Sequence, residues 1–406
     1  MVKINSNRLS VKIKPSNFWV VLLITFTIYS FRIGTFGIPF CWILFFLTLV
    51  WIVITRKASY SYLSAISMIS IEAWCVLGVW GTCSLLWIDK TGNELNNIFY
   101  DYFIALVVFI FSIYTLKSKV LQKIYLYFCV LSIPIAVMGW ITAFTGYYFN
   151  ATYESYFHTL NFLGLHRPNT IFYNVNDHAV FMFFSLIILF LFTETNKHRM
   201  FIRAGGLWLY GANILFVDSR GVELAIIVFI ILYYIKSKRM KWLYKIFLLL
   251  IGVGFLCICY EDLLSLSIFN EGVNDKGRLL IWLVSLRNLS ESFFLGVGPG
   301  NISISNAADG IIAVTDCHNF FLEILCDYGI IGGITILIWY ISMLSTAWKY
   351  TKIDNKATII WCALLSFIVI SIVSSSLIGK NWFAGVVGIL IAQLSQLEKS
   401  RNVIVN

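Results

Sequence analysis

The sequence predicts an all-α polytopic membrane protein, and three observations carry that prediction. Of the 406 residues, 59% are hydrophobic and only 12% are charged, against about 25% charged in soluble domains. Mean hydropathy is +0.83. Apolar runs of the length needed to cross about 30 Å of hydrocarbon recur along the whole chain, and the short alternating segments of a membrane β-barrel are absent. Backbone groups in lipid must be satisfied internally, so runs of this kind are helices.

Twelve spans follow in order: about 17–34, 38–54, 63–87, 98–116, 122–145, 175–193, 201–217, 221–235, 243–260, 329–348, 357–377 and 380–397. Spans seven and eight are short and separated only by "VDSRG". Before the first span stand Lys3, Arg8, Lys12 and Lys14, with no A-x-A-like cleavage site after it, so this run reads as an uncleaved span. With the N-terminus inside and the spans alternating, twenty-two of the 30 Lys and Arg fall on the cytoplasmic side. That bias is the positive-inside rule, and it predicts an even number of spans with both termini cytoplasmic. The net charge of +10 is then explained by loop anchors. No basic, aromatic-interleaved domain exists to bind nucleic acid.

The nine cysteines form no CxxC pair and no Cys/His metal spacing. Most lie in or beside apolar runs, as small core hydrophobes do. Cys317 and Cys326 on one helix are too far apart to bridge. The chain reads as one integral membrane domain, 1–406. Two non-cytoplasmic segments are long, 146–174 and 261–328, and most of the polar chemistry is gathered in the second.

Within that second segment, "GRLLIWLVSLRNLSES" (277–292) places Leu279, Leu283 and Leu286 at i, i+4 and i+7. This spacing predicts an amphipathic helix lying along the membrane surface. Arg278 and Trp282 share another of its faces, and Arg278 either caps the helix, meets lipid phosphate, or serves a site. "LGVGPGN" (295–301) follows a helix and lacks a Walker ending, so it is no nucleotide loop. It is either a structural turn or a place of close backbone approach to a sugar or phosphate.

"TDCHNFFLEILCDYGIIGG" (315–333) sets Asn319, Glu323 and Asp327 at i, i+4 and i+8, with His318 at the head and Gly329 as a break before the next span. A charge at bilayer depth costs about 2.5–3.5 kcal/mol on insertion scales, so these acids are expected at the interface. His318 suits proton transfer near neutral pH; it is equally a helix cap or an interfacial hydrogen-bonder. "FVDSRGVELAI" (216–226) puts Arg220 in a tight outer turn, as a snorkelling side chain or an anion clamp. Arg167 is a third outer cation. Asn174, Asn176 and Asp177 read as turn and N-cap residues of the sixth span. The other outer-side histidines, His158, His166 and His178, are scattered. Arginines and one histidine on one side of a bilayer, without a D-x-D or H-E-x-x-H element, suit a pyrophosphate bound without metal, because guanidinium grips phosphate oxygens in a bidentate fork.

These residues resemble a known family. "SRG" (219–221), "GR" followed by Trp282, "GVGPGN" (296–301) and "HNFFLEILCDYGIIGG" (318–333) are similar to the O-antigen ligase and O-antigen polymerase (Wzy) superfamily. "FYNVNDHA" (172–179) is similar to the family's N-P-N-D element, with Val175 where Pro is common. The motifs cover about 165–335. The resemblance implies a GT-C-type, inverting, metal-independent glycosyltransferase with no cofactor. It implies a donor glycan on undecaprenyl pyrophosphate at the outer face of the bacterial cytoplasmic membrane, and an acceptor that is a second glycan or lipid A core. A flippase and a chain-length regulator would be its working partners. His318 matches the family's base, and Arg220 and Arg278 its pyrophosphate-binding arginines, with Arg167 as a weaker candidate. Asn319 would fix the imidazole and Asp316 or Glu323 would orient it. A polymerase is expected over a ligase. A transporter or flippase would need polar groups near the bilayer midplane, where Glu72 is the main charge, and a non-catalytic scaffold is a further alternative.

Overall fold

The computed structural model describes residues 17–29, 32–33, 38–55, 63–88, 94–114, 118–149, 160–161, 163–172, 174–236, 273–302, 317–372 and 377–405. They form α1 (Asn17–Tyr29), a two-residue strand pair β1 (Arg32–Ile33) and β2 (Ile38–Pro39), α2 (Phe40–Ile54), α3 (Ala65–Ser84), α4 (Glu94–Tyr114), α5 (Ser118–Thr145) and α6 (Val175–Thr193). Next come α7 (Arg199–Val217), α8 (Arg220–Lys236), α9 (Val273–Glu291), α10 (Phe320–Tyr350), α11 (Asn355–Ile370) and α12 (Asn381–Val405).

Eleven of the twelve expected spans fall on these helices; the ninth, 243–260, lies outside the described residues. Among the described residues, six helices are long and apolar enough to cross a membrane, and α1, α2 and α11 contribute shorter apolar segments. The protein is therefore a polytopic helical membrane protein. Spans seven and eight are separate, because Asp218 adopts a left-handed conformation (φ 55°) that ends α7. Within α7, residues Leu207–Gly211 form a π-helical turn.

Helix starts follow side-chain chemistry. Ser64, Asn174, Asn319 and Asp354 each accept a backbone N–H at the first turn of α3, α6, α10 and α11, satisfying donors that a helix start leaves orphaned. The two central helices are α6 and α12. Helix α6 is apolar nearly all round and buried along nearly its whole length, and α12 is buried over 381–395, the pattern of a helix enclosed by others. Polar ties hold the layers in register. Trp339 Nε1 donates to Ser70 Oγ at 3.1 Å, Tyr125 Oη to Gln393 Oε1 at 2.6 Å, and Tyr328 Oη to the buried Asp101 at 2.7 Å.

The main departure from the sequence reading is α10. Gly329, expected as a break before a span, is a reversal (φ 66°, ψ −164°). The rings of Phe321 and Tyr340 lie 5.3 Å apart, whereas nineteen residues of straight helix would span about 28 Å. Residues 320–328 thus fold back along 330–350 as a short arm. The glycine turn fixes the reversal: Val297 N donates to Cys326 O, Gly298 N to Asp327 O, and Ile330 N to Phe294 O, at 2.9–3.1 Å. A Cβ at Gly329 would lie 2.3 Å from Phe294 O, and one at Gly296 2.5 Å from Asp327 O.

The cations divide between the two ends of the bundle. At one end Glu194 takes Arg203 at 2.6 Å and Arg199 at 3.1 Å, and the Lys236 ammonium sits 3.6 Å from the centre of the Trp348 ring. The other end carries the starts of α6, α8, α10 and α12.

Gly329→Ala is expected to destabilise the protein by more than about 2 kcal/mol, because this backbone region is essentially reserved for glycine and the added carbon meets main chain. Gly205→Ala, at a helical position with open space around it, should be neutral or better. Thermal unfolding in detergent reads both.

Candidate functional site

The site is built from the fold-back arm. Asn319 caps it, its Oδ1 accepting from Leu322 N at 3.1 Å, and Phe320 N donates to Ser371 O at the end of α11 at 2.8 Å. Because the arm runs back from Gly329, His318 is recessed below the rim of the bundle and half-buried. Its backbone is left-handed (φ 49°), a conformation that costs a non-glycine residue free energy and gathers at functional sites. The oxygen of Asn319 serves the helix start rather than the imidazole. Asp316 lies outside the described residues.

Helix α9 is tied to this turn. Trp282 Nε1 donates to Cys317 O at 3.0 Å, and Cys326 Sγ meets Ser285 O at 3.5 Å. Ile281, Val284, Ser285, Asn288 and Leu289 are buried, whereas Leu283 and Leu286 of the expected apolar stripe face outward. The helix is amphipathic in a different sense from a surface helix: one face packs on protein, and Leu283 and Leu286 lie on the outward face. Arg278 lies on α9 one turn before Trp282, which places its Cα on the side of the helix that carries the tether to Cys317. Burial pushes the Cys317 thiol up, with the Glu323 charge adding to the effect, so no thiolate stands beside His318 at neutral pH. Cys317 and Cys326 are both free.

The polar stripe below His318 is enclosed by protein. Glu323 and Asp327 are buried. Asp327 accepts from Gly300 N at 2.8 Å and Ile302 N at 3.1 Å. The "GVGPGN" turn is therefore structural: its amides are spent within the protein, on the Asp327 carboxylate, on the carbonyls of Cys326, Asp327 and Gly298, and on Ser292 Oγ.

A second cluster stands at the same end. Arg167 pairs with Asp218 at 2.5 Å. Asn161 Nδ2 donates to Phe216 O at 3.1 Å, holding the 160–172 loop to the end of α7. Ser219 Oγ donates to Asn176 Oδ1 at 3.0 Å, and Arg220, the next residue, is exposed. Asp177, 1% exposed, pairs with Lys380 at 2.8 Å. Trp382 packs on Phe172 and Phe181, and Phe383 lies 5.8 Å from Phe320. These contacts bring Arg167, Arg220 and His318 to one end of the bundle. His178 has both ring nitrogens occupied, by Thr170 and Asn213, and is a structural core residue.

The sequence reading passed over Asp218, although an acid two residues before Arg220 was a visible partner for an outer cation. Lys380 belongs to no motif, and no spacing links it to Asp177, 203 positions away.

Residues 205–337 match the family described as O-antigen ligase. The chain is also similar to the teichuronic acid biosynthesis protein TuaE of Bacillus subtilis (strain 168), with 23% identity over 349 residues, 80% of this chain and 71% of that protein. Both matches support a likeness to the O-antigen ligase and polymerase superfamily, carried by about a third of the chain in the family match. The matched stretch runs from α7 into α10 and includes Arg220, Arg278 and His318; Arg167 and Lys380 lie outside it. The two matches support a role in polysaccharide biosynthesis.

Asp327→Asn is expected to cost about 1–3 kcal/mol, since an amide can accept with only one oxygen and leaves a buried backbone N–H unmatched. Thermal unfolding and proteolysis of the 294–302 turn would read the loss.

Proposed function

We propose that the protein polymerises undecaprenyl-pyrophosphate-linked repeat units into a surface polysaccharide at the outer face of the bacterial cytoplasmic membrane, with both termini cytoplasmic. The observation that carries this reading is the recessed His318 turn, tied through Trp282 to the helix of Arg278 and lying at the same end as Arg167 and Arg220.

In this reading the His318 imidazole takes the proton of an acceptor hydroxyl. The hydroxyl oxygen bonds to the anomeric carbon of the donor, the carbon–oxygen bond to the pyrophosphate breaks, and configuration inverts. Negative charge grows on the leaving diphosphate. Arg220 and Arg278 stabilise it in a partly dry site, where fixed cations act more strongly than in water, and Arg167 adds to the same field. Asp218 lowers the charge that Arg167 presents. A positioned base contributes about 10²–10⁴-fold. The arginines would do the work that a metal does elsewhere, and among the described residues no group of three His, Cys, Asp or Glu stands close enough to hold one. Glu323 and Asp316 are the acids proposed to orient the histidine, within the catalytic segment 261–328.

The relative named for teichuronic acid biosynthesis supports polymer synthesis. The family description supports the second reading, transfer of a finished glycan to lipid A core. Incubating purified protein with one lipid-linked repeat unit and no other acceptor separates them. A ladder of products is expected; product only after lipid A core is added would make the protein a ligase.

His318→Ala should abolish transfer at unchanged protein level, and near-normal product would remove the base assignment. Arg220→Lys and Arg278→Lys should each impair transfer, because an ammonium loses the fork; full activity in either would release that residue from the site. EDTA should leave the rate unchanged, and a metal requirement would contradict the proposed chemistry.

A further inference from the structure

We propose that the first turn of α6 is a two-armed bracket, in which Asn176 positions Arg220 and Asp177 positions His318. One helix end would then set the spacing between the anion-binding and proton-accepting halves of the site. The proposal rests on the functional reading above.

The first arm is short. Asn176 Oδ1 accepts from Ser219 Oγ at 3.0 Å, and Ser219 is buried. The carbonyl of Ser219 receives the N–H of Val222 and of Glu223, both at 2.9 Å, so Ser219 is where α8 begins. Arg220 is the first residue of that helix. Fixing Ser219 fixes the direction in which Arg220 leaves the turn.

The second arm is an ion pair. Asp177, 1% exposed, holds Lys380 at 2.8 Å. The Lys380 carbonyl receives Phe383 N at 3.0 Å and Ala384 N at 3.3 Å, so the first turn of α12 hangs from it. Phe383 meets Phe320 with ring centres 5.8 Å apart, and Phe320 is two residues beyond His318. A shift at Lys380 is passed by packed rings to the histidine turn.

Both arms leave one platform. Asn174 caps α6, accepting from Asn176 N at 2.8 Å, and α6 is buried along nearly its whole length. Adjacent side chains on a helix point about 100° apart, which lets one turn serve two neighbours. Neither Asn176 nor Asp177 is given a part in the chemistry; they are positioning residues.

The two arms should differ in kinetics. Asn176→Ala and Ser219→Ala remove the same bond from its two ends. Each should raise KM for the lipid-linked donor, and weaken binding of glycan-free undecaprenyl pyrophosphate, by about five- to tenfold, the worth of one buried hydrogen bond, with kcat near wild type. Asp177→Asn and Lys380→Gln should lower kcat by roughly tenfold to hundredfold, as a displacement of about 1 Å does, with binding of that probe unchanged. The double variant should be no slower than the worse single one, as for residues acting as a unit. If all four variants show one common signature, or if Ser219→Ala leaves probe binding intact, the bracket is overturned and the turn is structural only. A variant that does not fold is replaced by its partner on the same arm. Wild-type protein that binds the probe but transfers no glycan would overturn the functional reading instead, and the probe would still test the Asn176 arm.

Discussion

The backbone at Gly329 and the backbone of residues 294–298 touch with no room for a side-chain carbon between them. That contact turns α10 back on itself, and the placement of the site follows from it. With a straight α10, Phe320 would stand about a dozen ångströms beyond Gly329, at 1.5 Å per residue, and His318 would project from the end of the bundle. With the reversal, Phe320 N reaches Ser371 O and the histidine is drawn down between the middle of α9 and the ends of α11 and α12. The same contact consumes the amides of the glycine turn, so the turn that most resembles an anion cradle has no donors to spare for an anion. In the proposed reading, anion binding falls to arginines on other elements.

The electrostatics follow a consistent rule. Three acids near this end are paired within the protein: buried Asp327 with two backbone amides, buried Asp177 with Lys380, and half-buried Asp218 with Arg167. Burying an unpaired carboxylate is costly, so these groups are committed to structure. Arg220 remains exposed. The proposed binding of a dianionic leaving group needs that asymmetry, with carboxylates paired within the fold and a guanidinium left facing solvent.

The sequence made the helices legible, because hydropathy registers burial in lipid and in protein alike. Eleven of the predicted spans coincide with helices, and Asn174 was legible as an N-cap from its side-chain chemistry. Gly329 was legible as a break, but its direction was not: a glycine permits many backbone angles, and the choice among them depends on a turn thirty residues earlier. The leucines of α9 were legible as an apolar stripe, yet in a membrane protein an apolar face is as comfortable against lipid as against protein, and here the packed face is the one containing Ser285 and Asn288. The motif residues His318, Arg220 and Arg278 could be singled out, because histidine and arginine are conspicuous in so greasy a chain. Their supports could not. Asp218, Asn176 and Lys380 act through pairings set by tertiary structure, and no spacing in the sequence announces them.

Those supports explain why a reactive end can be kept ordered on short loops. A catalytic constellation must be held to within about 0.5 Å by elements that do not themselves yield. The enclosed parts of this bundle are α6 and residues 381–395 of α12, and their first turns reach the arginine turn through Asn176 and the histidine turn through the ring of Phe383. The apolar interior is thus more than a membrane anchor. It supplies the rigid floor on which one residue from each neighbouring element is placed, and the chemistry needs only that the floor hold still while the glycan moves.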